Sequence, residues 1–187
     1  MITMDTMIQD PNTLLRTKSE TVNLPLSNED EKILNDMIEY VTNSRDEQLA
    51  QQYNLQPAVG IAAVQTGHLK RMCVVMIDEL DEHNELQTIQ FALINPVILS
   101  TSKKEVALQQ GEGCLSIREP HEGLVYRPNK IKVRAFDYFT QSEIILEATG
   151  YLAIVIQHEV DHLNGILYYD RINKQNPWAE KSNAIII

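Results

Sequence analysis

A chain of 187 residues can bury a real core as one domain, and 43% hydrophobic against 22% charged residues is an ordinary soluble composition. The formal net charge of −10 excludes a broad basic surface of the kind that grips a phosphate backbone, so direct DNA binding is not expected. No apolar run reaches the roughly 18–20 residues that cross a membrane. Met1–Met7 lacks the basic start and apolar stretch of a signal peptide, and two cysteines allow one disulfide at most. The expected compartment is the cytoplasm.

Residues 1–26 read as irregular, with a short helix over Asn12–Lys18. Ser27 suits an N-cap, Asn28, Glu29 and Asp30 suit a first helical turn, and Ile33, Leu34, Met37, Ile38 and Val41 recur at helical spacing. The spacing predicts an amphipathic helix over 28–42. A polar stretch, 46–56, follows as a helical piece or a loop. Beyond Pro57 the chain reads as short strands: Met72–Ile77, Phe91–Leu99 interrupted by Pro96, then 104–109, 114–117, 123–126, 130–138 and 143–148. The acidic connection Asp78–Gln87 reads as an exposed hairpin loop. A helix from Thr149 or Gly150 to Asn164 is apolar all round in its first half, Tyr151–Ile156, hence buried, and Gly165 is its expected left-handed stop. The predicted fold is α+β: short antiparallel or mixed sheets around a buried central helix, with an N-terminal amphipathic helix. One domain over 1–187 is expected. The tail 176–187, ending in Ala-Ile-Ile-Ile, packs on the body or a neighbour, or hangs free.

The central helix carries His158-Glu159-x-x-His162. Positions i and i+4 share a helical face, so two imidazoles can grip one metal ion, while Glu159 sits where a carboxylate can take a proton from activated water. A catalytic site needs a third protein ligand and an open position. Cys114, within Gln110-Gly111-Glu112-Gly113-Cys114-Leu115-Ser116, is the candidate, since its flanking glycines permit close backbone approach. A thiolate with two imidazoles suits Fe²⁺, Zn²⁺, Co²⁺ or Ni²⁺ and disfavours Mg²⁺ or Ca²⁺. Cys73, inside an apolar strand, reads as a small buried hydrophobe. His68, His83 and His121 read as ordinary exposed histidines.

Glu112-Gly113-Cys114-Leu115-Ser116 and Gln157-His158-Glu159-Val160-Asp161-His162 resemble the second and third signature motifs of peptide deformylases, and Val59-Gly60-Ile61-Ala62-Ala63-Val64-Gln65 resembles the first. The long first helix and the run from Gly150 to Gly165 are most similar to the longer type found in Gram-positive bacteria. The resemblance implies removal of the N-formyl group from N-formylmethionyl peptides during bacterial protein biosynthesis. It implies one divalent metal ion, Fe²⁺ with Ni²⁺, Co²⁺ or Zn²⁺ as replacements, held by Cys114, His158 and His162. It further implies Glu159 as acid/base, and Gln65 with the Leu115 N–H as oxyanion donors. Glu112 and Arg127 are expected to pair and orient Cys114 from behind. Val59, Gly60, Ile61, Tyr151, Ile154 and Val155 are expected to line the substrate cleft. A monomer with transient ribosome contact is the expected state.

The first motif departs from the pattern at Ala58, Ile61 and Val64, where the family has glycine, leucine and proline. A positive φ at residue 58 would cost alanine roughly 1 kcal/mol or more; otherwise its methyl would crowd the peptide. The alternatives to an active deformylase are a low-activity paralogue that binds formylated peptides and an HExxH metallopeptidase. The latter would need a downstream histidine or glutamate, and Glu180 is the only such residue.

Overall fold

Helix α1 (Asn28–Ser44) begins at Ser27, whose hydroxyl accepts the Asp30 N–H at 3.1 Å, with Glu29, Asp30 and Glu31 in the first turn. The computed structural model describes residues 1–187. The helix runs past the expected end at 42 and buries Ile33, Leu34, Met37, Tyr40 and Val41. Asp46 then caps a short α2 (Glu47–Gln52), its carboxylate accepting the Gln48 and Leu49 N–H groups. The helix expected at 12–18 is a single 3-10 turn, Thr13–Arg16.

Strands β1 (Gly60–Ala62), β2 (Met72–Leu80) and β3 (Leu86–Thr101) come next, then the short β4 (Glu105–Ala107) and β5 (Arg127–Pro128). Strands β6 (Lys130–Asp137) and β7 (Ser142–Thr149) lead into helix α3 (Gly150–Leu163), and β8 (Ile185–Ile186) closes the chain. One antiparallel sheet has the order β1-β2-β3-β6-β7, and a second joins β5, β4 and β8. Strand β2 explains why the apolar run Met72–Ile77 does not alternate. Met72, Val74 and Met76 pack with α1 on one face, while Val75 and Ile77 pack with Leu152, Ala153, Val155 and Ile156 of α3 on the other. Both faces of the strand are covered, so every position is apolar. Each such fully buried aliphatic side chain contributes about 1.5–3 kcal/mol.

Several expectations change. The interruption expected at Pro96 is a bulge within a longer β3: the register shifts between Ile94 and Val97, and Asn95 takes φ 54°, so the residue without an N–H sits there. The acidic connection is mostly strand: Asp78, Glu79 and Leu80 pair with Thr88, Gln87 and Leu86. Only the turn remains, closed by the Asp81 carboxylate accepting the His83 and Glu85 N–H groups. Segments 114–117 and 123–126 are not strands. Their buried Leu115, Ile117, Leu124 and Val125 mimic strand patterning, but the backbone bonds elsewhere, as when Leu124 N–H donates to Pro177 O. The tail packs on the body: Ile185 and Ile186 run parallel to Val106 and Ala107, and Gln109 N–H donates to Ile187 O at 2.8 Å.

Candidate metal centre and substrate cleft

Helix α3 presents His158 and His162 one turn apart, and the irregular segment 110–116 brings Cys114 against them. His162 Nε2 lies 3.2 Å from both Cys114 Sγ and His158 Nε2, and one ligand atom from each of the three residues falls within 4.8 Å of the others. Two ring nitrogens this close cannot both carry protons. Burial and the neighbouring His158 push His162 well below the ordinary histidine range. Against its own desolvation, His158 is held well above that range by Cys114 and Glu112. Three soft or borderline donors converging at such distances form a cradle that fits one transition-metal ion. Gly165 ends the helix at φ 74°, where an added Cβ would lie 2.4 Å from Arg16 O, so only glycine lets the 3-10 turn pack there.

Behind the cradle runs a buried chain of charges. Glu112 Oε2 meets His158 Nδ1 at 2.8 Å, and its carboxylate accepts from Arg127 Nε at 2.6 Å and Nη2 at 2.9 Å. Arg127 is fully buried and also donates to Asp161 Oδ2 at 2.7 Å, and Asp161 in turn takes two bonds from Arg171. Despite desolvation, His158 and Arg127 hold the Glu112 carboxyl down to about 2. The expected Glu112–Arg127 pair is present, but its carboxylate bonds the His158 ring rather than reaching Cys114. It orients the imidazole and fixes its tautomer.

Glu159 faces away from that chain. It is buried, its Oε2 has no hydrogen-bond partner, and desolvation pushes its carboxyl up to about 7, offset in part by His158 and Arg127. It packs on Gly60, where an added Cβ would stand 2.4 Å from Glu159 Oε1. That close approach accounts for the glycine. Gln65 is pinned from three sides: its Oε1 accepts the Ala62 N–H at 2.8 Å, while Nε2 donates to Ser116 Oγ at 3.2 Å and points at Cys114 Sγ at 3.6 Å. The Leu115 N–H donates to no protein group, although Leu115 O accepts from Gln9 Nε2.

A cleft of about 370 Å³ opens onto these groups. Val59, Gly60, Tyr151, Ile154 and Val155 line it as expected, together with Leu115, Gln65 and Glu159. Ile61 does not: it is fully buried in the core beneath α1, because successive strand residues face opposite ways. Ala58 lines the cleft with φ outside the left-handed region, so its backbone carries no strain, and its N–H donates to Ser44 Oγ at 3.2 Å. Val64 is core. Cys73 is buried, and burial pushes its thiol above the usual range. His83 and His121 are exposed, but His68 is half-buried, and His121 stacks on Tyr169 at 4.1 Å. Sequence reasoning assigned no part to Asp161, Arg171, Ser116 or Arg45. A clue to Asp161 was available, since a carboxylate on a buried helix one turn from a ligand needs a partner.

The polypeptide deformylase family model matches residues 4–178. A peptide deformylase of Ligilactobacillus salivarius is 42% identical over 187 residues, covering 100% of both chains. The crystal structure of peptide deformylase from Ehrlichia chaffeensis matches with a TM-score of 0.71 at 31% identity, covering 91% of this chain and 88% of that one. The Met-Ala-Ser-bound class I type b peptide deformylase from Acinetobacter baumannii matches with a TM-score of 0.68 at 26% identity, over 89% and 96%. With the match spanning sheets, helices and the Cys–His–His cradle alike, this chain belongs to the polypeptide deformylase family.

Proposed function

We propose that this chain, acting as one unit over residues 1–187, is a metal-dependent hydrolase that removes the N-formyl group from formyl-methionine at the start of nascent polypeptides. The observation that carries this is the meeting of Cys114 Sγ with the His158 and His162 rings at the inner end of a peptide-sized cleft. Full-length relatives and a relative holding Met-Ala-Ser support it. Cys114, His158 and His162 would hold the ion, with Fe²⁺ expected and Ni²⁺, Co²⁺ or Zn²⁺ able to replace it. When bound, it supplies a Lewis acid that lowers the pKa of water and polarises a carbonyl.

The remaining work falls to the chain's own groups. Glu159 takes the proton of the attacking water at its carboxylate. A carboxyl raised to about 7 by burial suits proton transfer in both directions near neutrality. As the formyl carbon becomes tetrahedral, its oxygen gains negative charge, and Gln65 Nε2 and the Leu115 N–H donate to it from fixed positions. Glu159 then passes its proton to the departing amine. The carbon–nitrogen bond breaks, leaving formate and a free N-terminus. Tyr151, Ile154 and Val155 form the apolar wall against which the methionine side chain packs. A cytoplasmic monomer that meets nascent chains at the ribosome completes the proposal.

A metallopeptidase reading finds no support, since Glu180 is exposed in the tail beside Arg171 rather than near the histidines. Of the two ways in which Ala58 would cripple the cleft, backbone strain is absent, and its methyl in the lining is the one departure left to the paralogue reading. The test is anaerobic reconstitution with Ni²⁺ followed by formyl-Met-Ala-Ser. Formate and intact Met-Ala-Ser are expected. Absence of formate, or cleavage of the Met–Ala bond, would overturn the assignment.

A further inference from the structure

The cleft wall continues outward from the metal centre: Gly60 packs on Glu159, and Val59, Ala58, Pro57 and Gln56 join the lining. The Ala58 N–H bond to Ser44 Oγ ties this wall to the end of α1, and the next residue, Arg45, joins the lining. Arg45 is the one lysine or arginine among the residues that line the cleft of this acidic chain.

Its guanidinium is half-committed. Nη2 pairs with Asp78 Oδ2, and Asp78 is itself fixed by Thr88 Oγ1 at 2.7 Å. Nη1, shielded from solvent, has no partner. A cation that lines the cleft and is anchored along one edge only favours an occupant bearing an acceptor, best of all a carboxylate. Ala58 and Pro57 lie outward of the Glu159 contact at Gly60, beyond the start of β1. A peptide with its formyl group at Glu159 would run outward along this wall toward Arg45.

We propose that Arg45 is a specificity-determining residue that favours substrates with an acidic side chain downstream of the methionine. This rests on the deformylase assignment above. Asp78 moderates the preference by sharing the guanidinium.

The experiment compares kcat/KM of the nickel-loaded enzyme for formyl-Met-Ala-Glu-amide, formyl-Met-Ala-Gln-amide and formyl-Met-Ala-Lys-amide, the amides removing any terminal carboxylate. The glutamate peptide should exceed the lysine peptide by about fivefold, mainly through KM, the size expected of a partly exposed ion pair. Arg45→Gln should bring that ratio to about one, Arg45→Lys should preserve part of it, and Asp78→Asn should enlarge it. A ratio unmoved by Arg45→Gln, with the glutamine peptide still turned over, would overturn the role of Arg45 alone. Failure of the wild type on all three peptides would overturn the deformylase assignment and this role with it.

Discussion

Arg127 and Arg45 serve two ends of one cleft and are held in opposite ways. Arg127, behind the inner end, is fully buried and bonds two carboxylates, Glu112 and Asp161, that bear on the metal-binding helix. Arg45, on the outer wall, is partly open, bonds Asp78 alone and keeps one donor unmet. The inner end is over-determined because the reacting groups must sit still. The outer end commits one edge of its guanidinium to Asp78 and leaves the cation to bear on what the peptide brings. Chemistry and selectivity are thus built to different tolerances within one pocket.

The sharpest way to stress the inner end is to remove its proton carrier. Glu159→Ala should keep the metal, measured by elemental analysis, and lower kcat by roughly 10³. An unchanged rate would remove Glu159 from the reaction. Arg127→Met should leave Glu112 and Asp161 buried without their shared cation and cost about 3–5 kcal/mol of stability. Arg45→Gln should cost less than about 1 kcal/mol, and chemical denaturation of both variants tests the contrast directly. Equal losses would erase the distinction between the two ends.

Gly60→Ala probes how tightly Glu159 is seated. Its new methyl would stand where Oε1 now lies, so the carboxylate must swing away. Turnover should fall by about 10² with metal retained. A smaller effect belongs to Asp30 at the start of α1, far from the chemistry. Lys70 Nζ, 2.8 Å away, together with the Ser27 hydroxyl holds the Asp30 carboxyl below its ordinary value, despite partial burial. A carboxyl depressed in the folded state adds stability that is present above its unfolded pKa near 4 and is lost as pH falls through the lower folded value. Asp30→Asn should therefore flatten the decline in unfolding free energy between about pH 5 and 3 by less than about 1 kcal/mol.

The two ends also differ in how far they could be read from residue order. The inner end announces itself: His158 and His162 need only a helix to meet, and glycines beside Cys114 mark a backbone that must come close. Helices α1 and α3 were legible for the same reason, since periodicity and a cap are local signals. Segments 114–117 and 123–126 misled, because a well-packed loop buries short apolar runs as a strand does. Ile61 was assigned to the cleft from its place in a motif, yet strand alternation turns it into the core. Arg45 left no trace in the sequence. Its position depends on α1 ending at Ser44, on the Ala58–Ser44 bond and on Asp78 arriving from β2, none of which is visible in neighbouring residues. Pro96 and the tail belong with it: a bulge and a parallel pairing with β4 are settled by distant partners.

X-ray absorption at the nickel edge of the anaerobically reconstituted protein tests the coordination claim most directly. The account predicts one sulfur and two imidazole nitrogens around the ion in the wild type, and loss of the sulfur signal in Cys114→Ala. A wild-type spectrum with no sulfur neighbour would contradict it.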